Sequence, residues 1–178
     1  MQKFGNCHPV YPRGLKDIRL QRFIAAQFIA AGTDSYELIR NGQGKTMIMA
    51  QTIIFFAGLA KETGEDFQVK VVTCGSHLVQ QLKEDFKRAI SRDLDGFYEV
   101  INIESGFIGP CDLLLVDEAD ECLRLGLIQF DAQHSLTCFT DIRNCKRVHM
   151  FSATDEAAFV KTAAVLGVET VRVHRTMF

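Results

Sequence analysis

Short apolar runs recur along the chain, and between them the apolar positions return every three or four residues. The runs "SYELIR" (35–40), "QVKVVT" (68–73) and "FYEVINI" (97–103) predict three strands. "CDLLLVDEAD" (111–120) holds a fourth, continuous in Leu113–Val116; "KRVHMFSAT" (146–154) and "ETVRVHR" (169–175) give a fifth and a sixth. Helical spacing predicts an amphipathic helix over 17–32, stopped by Gly32, and a second over about 45–61. A third starts with Ser76 as N-cap and carries Leu78, Leu82, Phe86 and Ile90 on one face. Two more are expected over about 128–140 and beyond the Thr154–Asp155 corner. Strands that are apolar throughout and separated by helices indicate a mainly parallel sheet covered on both faces, hence an α/β chain in three layers. Ligands of such sheets bind at the carboxyl ends of the strands. No repeat, low-complexity tract or linker divides the 178 residues, so one domain over 1–178 is expected.

One stretch breaks the apolar pattern where a ligand would sit. In "RNGQGKTMIMAQTIIFF" (40–56), two glycines, a lysine and a threonine run straight into an almost unbroken apolar helix. Gly42 and Gly44 let the backbone turn with its N–H groups inward, in a conformation that side chains block. The helix start adds the positive end of its dipole. Gly42, Gln43, Gly44, Lys45 and Thr46 therefore make a candidate phosphate cradle, with Lys45 reaching β- and γ-phosphates and Thr46 ligating Mg²⁺. Ile39 stands where the general G-x-x-x-x-G-K-[ST] pattern has its first glycine. The bland alternative is a glycine turn with an exposed lysine.

A second break lies at the end of the fourth strand, where Asp117 and Glu118 follow four aliphatics. Two carboxylates there are expensive to bury without a partner, and a metal beside a phosphate loop supplies one. Asp117 would hold Mg²⁺ through water, and Glu118 would activate the attacking water. The competing reading is a solvated acidic turn. Ser152-Ala153-Thr154 ends the fifth strand on the same edge.

Composition narrows the class without naming a function. Hydrophobic residues make up 47% and charged residues 24%, an ordinary globular balance, and no apolar run is long enough to span a membrane. The N-terminus lacks the apolar core of a signal peptide, and the expectation is a cytoplasmic protein. Six cysteines at 7, 74, 111, 122, 138 and 145 form no C-x-x-C pair; Cys74, Cys111, Cys122 and Cys138 lie in or beside apolar stretches and read as reduced core or near-core residues, with zinc or disulfides as the alternative. The five histidines have no metal spacing; His149 and His174 fall inside strands, where a hydrogen-bonded structural role is expected. A net charge of −2 is not that of a basic nucleic-acid module, but a small groove can be basic on a neutral domain.

"GQGKT", "DEAD" and "FSAT", in this order, resemble motifs one, two and three of the first RecA-like domain of the superfamily-two helicases and translocases. "VVTCGSHLVQQLKEDF" (71–86) resembles the strand and helix that touch the translocated strand. The resemblance covers most of the chain. It implies a three-layer RecA-like P-loop NTPase fold, ATP and Mg²⁺ as ligands, coupling through Ser152 and Thr154, and cargo contact at Gly75 and Ser76. Gln21, after "DIRL", falls where such proteins carry an adenine-reading glutamine, although the Pro-Thr-x-x-Gln context is absent; otherwise it is an exposed helix residue. "ELIRNGQGKT", "VKVVTCGSHL" and the tail from Ser152 resemble the bacterial protein translocase ATPase SecA. "DEAD" and "FSAT" resemble the DEAD-box RNA helicases.

The chain also departs from both patterns. Only 43 residues lie between Thr73 and Asp117, with no T-P-G-R, and only 31 between Asp120 and Ser152, too few for a preprotein-binding insertion. No second RecA-like domain follows, so the arginine finger is expected from another domain or a partner subunit. Three functions stay open: the ATP-binding half of a helicase-type motor acting on nucleic acid, RNA favoured; a SecA-like translocase acting on unfolded polypeptide; and a non-motor nucleotide-binding scaffold. A retired site is expected to have lost Lys45 or Glu118, and both are present.

Overall fold

The computed structural model describes residues 32–105, 107–125, 140–154, 156–168 and 170–174. The expected helices over 17–32 and about 128–140 lie outside the described residues, apart from their last positions, and Gln21 lies outside them altogether.

Six strands form one all-parallel sheet: β1 (Ser35–Ile39), β2 (Val69–Thr73), β3 (Tyr98–Asn102), β4 (Leu113–Val116), β5 (Val148–Ser152) and β6 (Thr170–His174). Their order across the sheet is β3-β2-β4-β5-β1-β6. The expected three-layer α/β architecture is therefore present. β5 lies between β1 and β4, with Leu38 opposite Ser152 and Val116 opposite Met150. That insertion puts the ends of three motif-bearing strands side by side on the carboxyl edge.

Alternation along the strands feeds two cores. Ile39, Val69, Val71, Leu113, Leu115 and Phe151 pack on one face beneath α1 (Lys45–Thr63) and α2 (Ser76–Ala89). Tyr36, Leu38, Val72, Leu114, Val116 and Met150 pack on the other, beneath α3 (Ala119–Arg124) and α4 (Ala157–Val165). Both faces are covered, which is why the strands read as continuous apolar runs. Phe86 of α2 is wholly buried, and a side chain of that size contributes about 3 kcal/mol by leaving water.

Local chemistry sets the helix limits. α1 ends at Gly64, whose φ of 72° lets its N–H donate back to Ala60 O at 2.8 Å. α2 buries Leu82 and Phe86 on the stripe expected for it, but its cap is Gly75, not Ser76. Gly75 takes φ 78° and ψ 136°, a conformation open to glycine, and Ser76 is already the first helical residue. α3 follows Asp117–Glu118 at once, a helix that the short apolar pattern did not announce. Beyond the Thr154–Asp155 corner the expected helix opens at Ala157, with Glu156 at its cap.

Polar groups of β1 pair with groups on the strands at either side of it, β5 and β6. Ser35 Oγ and His149 Nδ1 lie 2.7 Å apart, and Arg172 Nη1 donates to Glu37 Oε1 at 2.8 Å. His149 is thus a hydrogen-bonded structural histidine, and burial holds its pKa down at about 4. Cys74, Cys111, Cys122 and Cys145 are free and buried, as expected of core cysteines, and the thiols of Cys111 and Cys145 lie 3.0 Å apart. No helix among the described residues is long and apolar enough to cross a membrane.

Candidate functional site

The loop after β1 is built by two left-handed glycines. Gly42 takes φ 77° and Gly44 φ 88°, and the Gln43 N–H closes the turn on Arg40 O at 3.2 Å. Gly44 caps α1 with no side-chain bond, and the N–H groups of Met47 and Ile48 return to its carbonyl at 3.0 and 3.1 Å. The first turn of α1, Lys45 and Thr46 included, thereby opens on the carboxyl edge with its dipole's positive end outward. An L-residue at Gly42 or Gly44 would strain this turn.

Lys45 is nearly buried, at 8% exposure, and does not wave in solvent. Its Nζ donates to Glu118 Oε1 at 2.7 Å and lies 3.4 Å from Asn41 Oδ1. The loop lysine and the second acid of "DEAD" are thus in contact across 73 residues of sequence. Glu118 sits at φ 48° and ψ 54°, the sole non-glycine residue at positive φ among those described. That conformation costs on the order of 1 kcal/mol and swings the side chain from the strand end towards the loop. Strain of this kind collects at functional sites.

Asp117 continues β4 by one residue, its N–H donating to Val72 O at 2.8 Å. Its backbone carbonyl accepts the Cys122 thiol at 3.3 Å. The carboxylate is 8% exposed, and its Oδ1 has no hydrogen-bond partner. Burial pushes its pKa up to about 6; the nearby Lys45 charge opposes this and Glu118 adds to it. An orphaned, buried carboxylate oxygen beside a helix start with a threonine fits a cation shared with phosphate oxygens. No group of three or more acidic, histidine or cysteine side chains that could cage a metal occurs among the described residues. A Mg²⁺ ion would therefore be held jointly by Thr46, Asp117 and a phosphate ligand, the pattern in which this ion keeps several waters.

Ser152 ends β5 between these two halves and is fully buried. Its Oγ accepts the Thr154 N–H at 3.0 Å and lies 3.2 Å from Thr154 O, a closed turn on the same edge. Gly75 and Ser76 follow β2 on that edge too. The Gly75 N–H donates to Asn102 Oδ1 at 3.2 Å. Asn102 is itself held by Glu104, accepting from its N–H and donating to its Oε2.

Three residues escaped the sequence reading. Asn41 touches Lys45 from within the loop, and its only signal was proximity to the glycines. Asp120, the last acid of "DEAD", has a buried Oδ1 with no partner. Thr73, the final residue of β2, is fully buried with an unpartnered hydroxyl, and nothing in an apolar strand marked it.

No protein-family model matches the chain, and no curated protein matches its sequence. Solved structures do. A hypothetical ATP-dependent RNA helicase from Sulfolobus tokodaii superposes with a TM-score of 0.64 at 17% identity, over 91% of this chain and 53% of that one. A DEAD box protein from Methanococcus jannaschii gives 0.61 at 16% identity, over 86% and 48%. The UvsW helicase from bacteriophage T4 gives 0.64 at 12% identity, over 96% and 64%. The fold is the RecA-like α/β fold that these helicase structures share, and this chain spans about half to two thirds of their length.

Proposed function

We propose that this chain is an ATP-binding motor domain of helicase type, which binds and hydrolyses ATP with Mg²⁺ to act on nucleic acid. The observation that carries this reading is the contact of Lys45 with Glu118 beside the Asp117 carboxylate, whose buried Oδ1 has no partner, at the mouth of a two-glycine helix start.

The backbone N–H groups of residues 42–46 cradle the phosphates. Lys45 leaves Glu118 and moves to the β- and γ-phosphates, where it neutralises charge that develops as the terminal phosphoryl group departs. Its departure frees the Glu118 carboxylate, which orients water in line and accepts its proton. Asp117 and Thr46 hold Mg²⁺, which neutralises the phosphate oxygens when bound. Ser152 and Thr154 lie between the two halves and pass the phosphate state to the neighbouring strand ends. The cleft gains its arginine finger and second wall from another domain or a partner subunit, in keeping with the greater length of the structures it resembles.

Nucleic acid is the favoured cargo. The neighbouring structures include an RNA helicase and a SWI2/SNF2 ATPase core in complex with double-stranded DNA. Lys83, Lys87 and Arg88 stand exposed on α2, and Arg92 just beyond it. Together with the backbone N–H groups at Gly75 and Ser76, at the start of α2, these side chains carry the phosphate contact. A polypeptide cargo is the alternative, supported by the SecA-like "VKVVTCGSHL" and "ELIRNGQGKT".

The test is a melt with nucleotide. ATP or ADP with Mg²⁺ at about 100 times Kd stabilises the chain by about 2.7 kcal/mol, several degrees, and Lys45→Ala removes most of that gain. A melting temperature indifferent to millimolar nucleotide refutes the site. Cargo follows from titrating single-stranded RNA and an unfolded polypeptide at two salt concentrations: nucleic-acid binding weakens with salt, and binding to the polypeptide alone promotes the translocase reading.

A further inference from the structure

We infer that Thr73 is a positioning residue for the divalent cation, its hydroxyl holding the ion's hydration shell opposite Asp117. The inference rests on the nucleotide reading above and adds a residue that the sequence motifs do not contain. β2 and β4 pair in parallel through Val72 and Val116, and the Asp117 N–H continues the ladder by bonding Val72 O at 2.8 Å. One step further along this register sets Thr73 beside Asp117. Thr73 shares strand parity with Val69 and Val71, and Asp117 with Leu113 and Leu115. All four of those apolar residues lie on the sheet face covered by α1, at whose start Lys45 and Thr46 sit.

Two polar side chains on neighbouring strands therefore leave the sheet on the same face, side by side in register, and each has a buried atom with no partner: Thr73 Oγ1, in a fully buried residue, and Asp117 Oδ1. A buried hydroxyl is rarely left unsatisfied, and an orphan needs a reason. A valine would fill the same space in an otherwise aliphatic strand without that cost. A hydrated cation beside Asp117 satisfies both atoms at once. The threonine hydroxyl both accepts and donates, so it can bond a water that the ion orients.

The experiment uses the full chain. Mn²⁺ affinity in the presence of ADP is read by electron paramagnetic resonance, ADP affinity in EDTA by calorimetry, and the ligand-free melting temperature in parallel. Thr73→Val is expected to weaken Mn²⁺ binding about tenfold, the usual effect of losing a residue that orients a metal's ligands. It leaves ADP affinity in EDTA unchanged and the ligand-free melting temperature equal or higher. Thr73→Ser restores the metal affinity. If Thr73→Val does not fold, Thr73→Ala carries the same comparison. Wild-type Mn²⁺ affinity in the valine or alanine variant overturns the inference. So does a loss of metal affinity that comes with a fall of several degrees in the ligand-free melt and that serine does not rescue, since that marks a structural hydroxyl. Failure of the wild-type chain to bind ADP in either condition overturns the nucleotide reading itself.

Discussion

Two buried polar clusters interrupt the same apolar sheet, and they are built in opposite ways. Across β5, β1 and β6, Ser35 meets His149 at 2.7 Å, and Glu37, wholly buried, meets Arg172 at 2.8 Å. At the carboxyl edge, Lys45 meets Glu118, but Thr73 Oγ1 and Asp117 Oδ1 have no partner and Glu118 is held in the left-handed region. In the first cluster Ser35, His149, Glu37 and Arg172 each bond a partner within the protein. The second carries two buried oxygens without a protein partner and a non-glycine residue held at positive φ. Charge and burial are common to both; the oxygens left without a protein partner are what mark the edge cluster as the candidate site.

The largest expected effect is catalytic and confined to the edge. Glu118→Gln keeps the shape and removes the base, so ATP turnover by the chain falls by about 10²–10⁴-fold while ADP affinity holds. Steady-state turnover and calorimetry read the two, and residual hydrolysis at the wild-type rate would remove Glu118 from the mechanism.

In the β5-β1-β6 cluster, breaking a pair acts on stability instead. Arg172→Ala withdraws the cation from the buried Glu37 carboxylate and lowers unfolding free energy by about 3 kcal/mol in urea titration, with nucleotide affinity unaltered in the folded protein. Equal midpoints for variant and wild type would mean that the ion pair is only a bystander.

The same cluster has a pH signature of nearly the same size. Because the His149 pKa falls from 6.5 to about 4 on folding, the unfolded chain binds more protons between those values. Its contribution to stability is complete above about pH 6.5 and declines as pH falls towards 4, by about 3 kcal/mol in all. Comparing urea midpoints at pH 7 and 4.5, for the wild type and for His149→Asn, isolates it; an unchanged pH slope in the variant assigns the loss elsewhere.

The smallest effect has the opposite sign and is the sharpest contrast. Asp117→Asn removes a buried charge whose pKa burial has already raised to about 6, and is expected to stabilise the ligand-free protein at pH 7 by about 1 kcal/mol while abolishing the Mg²⁺-dependent part of ADP binding. A destabilised ligand-free variant would place Asp117 with the structural cluster.

Much of the molecule was legible in contiguous residues. The six strands, α1, α2 and the two-glycine turn before α1 follow from apolar period and glycine placement, because backbone geometry imposes those periods locally. The loop's glycines and the acids after Leu113–Val116 stood out because they violate the pattern around them. Ser76 was misplaced by one position because capping preference is local, whereas Gly75 is chosen by a backbone conformation that Ser76 cannot easily adopt. Thr73 and Arg172 gave no signal, since a threonine or an arginine in a strand is unremarkable until its neighbour is known.

By itself the sequence determined which segments become strands and helices and which short stretches carry polar chemistry, since both depend on residues within one or two turns of each other. Only the tertiary structure decided which of these meet. Six apolar strands read alike, and nothing in their periods places β5 between β1 and β4 or brings Lys45 to Glu118 and Glu37 to Arg172, 135 residues away. Strand order is set by how the helices pack on the two faces and by how polar atoms are satisfied across the sheet, a balance over the whole chain.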